Sequence, residues 1–395
     1  VRGGSAQAKR LVRQRLALDL PRSLGAAEVE EAVGRVYATR QFDLITYQIA
    51  QTAADGAAVV NGQPVPTLVL DAEPSVGDRV GFGFRYDTNY NAALLFSLTL
   101  SDLVRFGSTT QLDVRLGEQM QIQAGYYTRL GLDTPLSVAG QVGYTGVPIP
   151  IFEGFGRPTS RGTLKTFTAR TFAGPVLFDA LLTGIGPAVS HVRAQPVVAP
   201  DSVEATTWTY GALSSFATAD TRDRTAFPSR GFRVLALAEV APGLGASFEH
   251  IAVDAEGWVP ILEGLTLGAR AVVTRAWGGD VPLSQLTFVG GAVVPALLPG
   301  RLFPLYGAET LELTGPVGQL AAVSAQWEVR PNIFLRATAN AGRAGEGWTL
   351  DRDAFRSGVG LTLGVATPIG PAELTLSGSG IDDIPDIALT LGRSF

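Results

Sequence analysis

From Arg79 onward, apolar residues recur at every second position. The chain there divides into segments of ~10 residues separated by Gly, Pro, Asp and Asn, the pattern of short strands with one apolar face. In QLAAVSAQWEV, Ala321, Val323, Ala325, Trp327 and Val329 share one face, while Ala322, Ser324, Gln326, Glu328 and Arg330 fill the other. In NIFLRATANAG, Ile333, Leu335, Ala337, Ala339 and Ala341 oppose Arg336, Thr338 and Asn340. Leu112, Val114 and Leu116 oppose Gln111, Asp113 and Arg115; in DIALTLGRSF, Ile387, Leu389, Leu391 and Phe395 oppose small residues. The alternation alone does not say which face is inside. A soluble sandwich hides its apolar face, whereas a membrane barrel turns it to lipid and keeps a polar lumen. Number favours the barrel: roughly sixteen segments fit between Arg79 and Phe395, an even count usual for such barrels and large for a sandwich.

The front of the chain has a different period. SAQAKRLVRQRLALDL puts Ala8, Leu11, Val12, Leu16 and Leu18 at helical spacing. SLGAAEVEEAVGRVYATRQF does the same with Leu24, Val29, Ala32, Val33 and Val36, with Glu28, Glu30 and Glu31 in its early turns. DLITYQIAQT and PTLVLDAEP then read as strands on either side of the polar turn ADGAAVVNGQPVP. Residues 1–75 are therefore predicted to be a small α+β module and residues 76–395 the barrel.

Composition narrows the class. The 395 residues carry a net charge of −5, which gives no reason to expect nucleic acid. With no cysteine, disulfides and thiolate metal sites are excluded; the only histidines, His191 and His250, lie far apart and are expected on a lumen or wet surface rather than on a metal. Mean hydropathy is +0.21, yet no run of ~18 apolar residues is present to form a membrane helix. The opening VRGGSAQAKR has no apolar signal-peptide core and is expected to be a processed or truncated start. Phe82, Phe84, Tyr86, Tyr126, Tyr127 and Trp258 near segment ends fit aromatic girdles and, equally, ordinary strand propensity.

Four motifs add to this pattern. ADTRDRTAFPSRGF packs Asp220, Arg222, Asp223 and Arg224 into five positions, then Pro228, Arg230 and Gly231; Pro228 fixes φ and Gly231 frees the backbone before the strand FRVLALAEV. The charged side chains can pair across that turn. TPIGPAEL (367–374) precedes the penultimate strand, and LTLGRSF ends the chain on Phe395. LTFVGGAVVPALLPGRLFPLYGAE (286–309), with Phe288, Gly290, Gly291, Gly300 and Arg301, falls between the eleventh and twelfth segments.

Together, one α+β module before sixteen strands, an Asp-x-Arg-Asp…Phe-Pro-x-Arg-Gly hairpin, the Thr-Pro-x-Gly-Pro turn and a Phe-x-Gly-Gly loop resemble the POTRA-plus-barrel outer-membrane superfamily. That superfamily includes the barrel-assembly factor BamA, two-partner secretion transporters and bacterial patatin-like phospholipases. The resemblance implies an all-β transmembrane barrel of sixteen antiparallel strands, preceded by one POTRA domain truncated at its first strand. It implies an outer-membrane location with the N-terminal domain in the periplasm, and Leu389, Leu391 and Phe395 as a signal read by the barrel-assembly machinery. In assembly factors and transporters the lumen loop carries an arginine that pairs with an aspartate on the wall. Here Arg301 is the nearest candidate, and Asn340 stands at the wall position. Those departures resemble the patatin-like branch, which implies a barrel that anchors or exports an N-terminal passenger. The alternative is a transporter or assembly factor opening between the first (Arg79–Asp87) and last (Asp386–Phe395) strands, where Gly81, Gly83 and Gly392 either weaken the seam or, equally, serve close packing or small lumen-facing positions. A plain porin is disfavoured by the α+β front and the long loop.

No catalytic machinery is legible. There is no Gly-x-Ser-x-Gly nucleophile elbow, and the carboxylate pairs Glu30–Glu31 and Asp382–Asp383 are neighbours that do not converge on one bond. No catalytic residue, metal site or cofactor is assigned; lipid acyl hydrolysis is expected only from an upstream patatin domain, if one exists. The expected partners are outer-membrane lipid and the assembly machinery, with a homodimer or contact with other outer-membrane proteins allowed by the resemblance.

Overall fold

The computed structural model describes residues 42–392 except 53–56, 61, 75–77, 89–90, 105–106, 131–135, 152–159, 178–180, 199–204, 293–297 and 380–385, with scattered positions between Lys9 and Val33. The chain divides into two compact units. One comprises Val1–Arg79, Thr99–Thr110 and Thr128–Pro135; the other holds Val80–Leu98, Gln111–Tyr127 and Leu136–Phe395.

In the first unit, Lys9, Val12, Arg13 and Leu16 are helical, as are Glu28–Glu30, Ala32 and Val33. Val12, Leu16, Val29, Ala32 and Val33 are all buried, the apolar faces that helical spacing requires. Phe42–Ala50 pairs antiparallel with Thr67–Pro74. The segment between them, read from sequence as a polar turn, holds a small ribbon of its own, Ala58–Val60 against Gln63–Val65.

The second architecture is a closed barrel of sixteen antiparallel strands. They are β1 (Arg79–Asp87), β2 (Asn91–Ser101), β3 (Ser108–Gly117), β4 (Met120–Arg129), β5 (Leu136–Ile151), β6 (Ser160–Leu177), β7 (Leu181–Val198) and β8 (Thr206–Asp220). They continue as β9 (Gly231–Pro242), β10 (Ser247–Leu262), β11 (Leu265–Asp280), β12 (Val317–Arg330), β13 (Ile333–Gly345), β14 (Arg356–Thr367), β15 (Gly370–Gly378) and β16 (Asp386–Gly392).

The pleat sorts the two faces. Val323, Trp327 and Leu361 point outward at 62 %, 52 % and 46 % exposure, whereas their inward neighbours Gln326 and Thr362 are at 3 % and 4 %. An apolar exterior around a polar interior is the inverse of a soluble sandwich and fits lipid outside. The described residues include no helix long and apolar enough to cross a membrane; the crossing is made by strands.

Two sequence expectations change. Trp258 is not a girdle residue: it faces the lumen at 9 % exposure. Its register partner is Gly268, and a Cβ there would lie 2.6 Å from the indole, so the missing side chain makes room for the ring. Trp277 and Trp327, near opposite ends of adjacent strands, are among the exposed aromatics of the wall, as are the girdle candidates Phe82 and Tyr86. The lumen is also not polar throughout. Val147, Leu164, Val192 and Phe248 face inward and form an apolar core with Phe288, Leu298 and Leu311 of the β11–β12 loop. Val272 and Leu320 meet Val289, Phe303 and Leu305 of the same loop in a second cluster.

An outward arginine at mid-wall has to carry charge into hydrocarbon. Val323→Arg is expected to lower the unfolding free energy in lipid vesicles by about 2–4 kcal/mol, with Val323→Leu near neutral, as read by urea titration.

Candidate functional site: a loop seated in the lumen

The loop between β11 and β12 has its own architecture. It opens on a 3₁₀ turn, Leu283–Gln285, then forms a miniature sheet in which Thr287–Val289 lies between Leu302–Phe303 and Leu313–Gly315. Gly290 and Gly291, the predicted Phe-x-Gly-Gly glycines, have φ of 139° and 86°, a turn that side chains disfavour. Phe288 is 1 % exposed in the apolar core, and Gly300 lies against Leu237 and Ala252 of the wall.

Arg301 is 7 % exposed and ties the loop to β9. Its Nη2 lies 3.4 Å from Glu239 Oε2, and its Nε donates to Gln285 Oε1 at 2.9 Å. Gln285 Nε2 in turn donates to Glu239 Oε1 at 2.9 Å and to the Tyr210 hydroxyl at 2.7 Å, and Ser214 Oγ donates to Glu239 Oε2 at 3.1 Å. The carboxylate thus accepts from three side chains, a satisfied buried network rather than an isolated pair. The family resemblance places the wall acid at the Asn340 position on β13. The acid is Glu239, on β9. Glu239, Gln285 and Tyr210 were not singled out from sequence, although Glu239 is the one charge on the lumen face of VLALAEV.

The β13 position still holds the loop, by a different bond. Oriented to satisfy both neighbours, the Asn340 amide accepts from Tyr306 N at 3.0 Å and donates to Gly358 O at 3.2 Å. Tyr306 and Gly307 lie flush on β14: a Cβ at Gly360 would come within 2.5 Å of the Tyr306 ring, and one at Gly358 would collide with its carbonyl. Burial pushes the Tyr306 phenol up. The loop tip therefore docks through backbone and phenol where the sequence comparison expects an arginine.

The opposite end of the lumen is occupied by the β8–β9 hairpin. Arg222 bonds Asp220 at 2.8 Å and reaches Glu256 of β10 at 2.5 Å. Asp223 does not pair with Arg230; it accepts from Ser229 Oγ at 2.5 Å and from the amides of Ser229 and Arg230. Arg230 is exposed, so the expected pairing across the turn is made by backbone instead. Phe227 and Pro228 turn inward and are buried. Phe227 stacks on Phe334 at 4.5 Å, Gln326 donates to the Pro228 carbonyl, and Arg336 lies between the Phe227 and Trp258 rings at 5.4 and 5.3 Å. Gly231 has φ 97°, and a Cβ there would strike the Thr221 carbonyl.

The seam between first and last strands is short. Gly83–Asp87 pair with Ala388–Gly392, whereas β5 and β6 pair from 136–151 across to 160–175. Leu389 and Leu391 face outward there, and Phe395 lies outside the described residues. Among the described residues no group of three His, Cys, Asp or Glu side chains could hold a metal.

A sixteen-stranded transmembrane barrel, its lumen filled by a loop after strand eleven and its wall joined by a short seam, defines the class. Residues 73–392 match the Omp85 superfamily domain, and the chain belongs to that superfamily. Its fold is similar to BamA from Haemophilus ducreyi lacking POTRA domains 1–3, with TM-score 0.69 and 14 % identity over 98 % of this chain and 82 % of that one. It is similar also to CdiB from Acinetobacter baumannii (TM-score 0.60, 10 % identity, 100 % and 72 % coverage) and to CdiB from Escherichia coli (0.60, 12 %, 97 % and 74 %). A comparison with curated proteins gives no match.

Two outcomes test these seats. Glu239→Leu strands the Arg301 cation in the lumen; it is expected to cost about 3–5 kcal/mol and to open the bond after Arg301 to trypsin. At Asp223, burial alone would raise the carboxyl, but hydrogen bonds from Ser229 and the Ser229 and Arg230 amides outweigh it and hold it below the usual range. A depressed folded value stabilises above the ordinary carboxylate pKa and is lost as pH falls through the folded one. Hairpin protection from proteolysis is therefore expected to weaken below about pH 4, and in Asp223→Asn to be weak and flat at every pH.

Proposed function

We propose that this chain works in the outer membrane as an Omp85 barrel that inserts or exports polypeptide, with residues 1–75 as a periplasmic POTRA domain. The observation that carries the reading is the contrast between a filled lumen and a weak wall. The loop's apolar faces and the Arg301–Glu239–Gln285 network occupy the interior, while β1 and β16 hold each other by a short ladder ending at Gly83 and Gly392. A client would then pass along the seam. The likeness to BamA and CdiB supports the same role. Outer-membrane lipid on the apolar exterior and the assembly machinery, reading Leu389, Leu391 and Phe395, are the partners of this reading, with a homodimer or neighbouring outer-membrane proteins as further ones.

A second reading is favoured by the loop tip. Tyr306 is seated by Asn340 and the β14 glycines, without an arginine–aspartate lock to the β13 wall. That arrangement supports a barrel of the patatin-like kind, anchoring or exporting an N-terminal passenger.

The cysteine-free chain allows a clean test. Tyr86 and Leu389 are register partners across the seam. Oxidation of the Tyr86→Cys/Leu389→Cys double variant in its native bacterium is expected to deplete client proteins from the outer membrane and medium, with recovery on reduction, as quantified by mass spectrometry. An unchanged protein profile with a closed disulfide would sink the seam reading. A mature protein heavier than this chain and labelled by a serine-hydrolase probe would then establish the passenger reading.

A further inference from the structure

Between the loop and the β5–β6 wall is a second polar feature, adjoining the Arg301–Glu239 bond. A cavity of about 50 Å³ lies inside the lumen, and Thr145, Thr166, Arg170, Ser284 and Glu239 are among its lining residues. Thr145 and Thr166 are register partners on adjacent strands, and Arg170 lies four residues further along β6 on the same inward face. Ser284 belongs to the 3₁₀ turn that opens the loop. Thr145 Oγ1, Thr166 Oγ1, Arg170 Nε and Ser284 Oγ are all buried and have no hydrogen-bond partner. Four orphaned groups, each able to donate, around one small space are unusual, because buried polar atoms are ordinarily satisfied.

Charge makes the cavity more specific. Two guanidinium groups, Arg170 and Arg301, line the cavity with one carboxylate, Glu239. That carboxylate is already engaged by Arg301, Gln285 and Ser214. The lining therefore carries one more positive charge than negative, and Arg170, partly buried with its Nε out of contact with water, favours a further counter-charge. About 50 Å³ is room for a few waters or one small ion.

We propose that this cavity binds a small inorganic anion of chloride size, held by the Arg170 guanidinium and the hydroxyls of Thr145, Thr166 and Ser284. The anion neutralises Arg170 and bridges wall to loop, because three of its partners stand on β5 and β6 and the fourth on the loop's first turn. It fastens the start of the loop to the side of the barrel opposite the Asn340 seat.

The test uses the full chain in detergent and chloride as the probe. Chloride-35 line broadening is expected to saturate with chloride concentration and to be competed by bromide. Arg170→Gln should weaken binding at least tenfold, and Thr166→Val, which keeps the side-chain shape but removes the hydroxyl, about tenfold, since each loses a hydrogen bond to a charged group. Replacing chloride by gluconate at constant ionic strength should speed tryptic cleavage after Arg301 in the parent, and leave Arg170→Gln unchanged. Line broadening that persists in folded Arg170→Gln and Thr166→Val alike, or no saturable broadening in the parent, would show that the cavity holds only water and would overturn the proposal.

Discussion

Hydrocarbon offers no hydrogen bonds, so the wall of this protein has to satisfy its backbone from strand to strand and close on itself. That constraint runs through the rest of the structure. It requires β16 to return to β1, although their ladder is only five residue pairs long. It forces side chains to alternate between lipid and lumen, which is why Val323 and Trp327 look outward while Ser324 and Gln326 look in. Once the wall is closed, the loop after β11 lies inside with its own backbone to satisfy, and its miniature sheet of 287–289, 302–303 and 313–315 does so.

The interior is then built like a core with polar fastenings. Apolar faces of the loop pack against Val147, Leu164, Val192 and Phe248 on one side and Val272 and Leu320 on the other. Directional bonds fix the register of that packing. Glu239 receives Arg301, Gln285 and Ser214, and Asn340 receives the tip at Tyr306. At the other end Arg336, between Phe227 and Trp258, holds the β8–β9 hairpin inward through the faces of two rings. The lumen is thus occupied from both ends, and the seam is held by a ladder of five residue pairs.

Glycine does two jobs in this arrangement. At Gly231 it supplies a backbone angle that the hairpin requires. At Gly358 and Gly360 it supplies space, since the tip of the loop lies where side chains would otherwise stand. The same absence of side chains under Trp258, at Gly268, explains why an aromatic expected at the membrane rim faces the lumen.

Much of this was legible in the chain. Period-two alternation fixes strand against helix and divides each strand into two faces, because the pleat admits no other period. Hence β1 begins at Arg79, the loop falls between strands eleven and twelve, and the buried helical positions Val12, Leu16, Val29 and Val33 lie in the front module. The hairpin motif, the glycine pair at Gly290 and Gly291 and the importance of Arg301 are local features, and local sequence shows them. What faces what across the lumen is not local. Glu239, Gln285 and Tyr210 come from three distant segments, and alternation says only that Glu239 and Tyr210 point inward. Which inward residue meets Arg301 depends on barrel closure and on how the loop folds over its 3₁₀ turn. Only the tertiary structure decided that the acid stands on β9, that Asn340 bonds backbone instead of arginine, and that Arg170 is left beside three unpartnered hydroxyls.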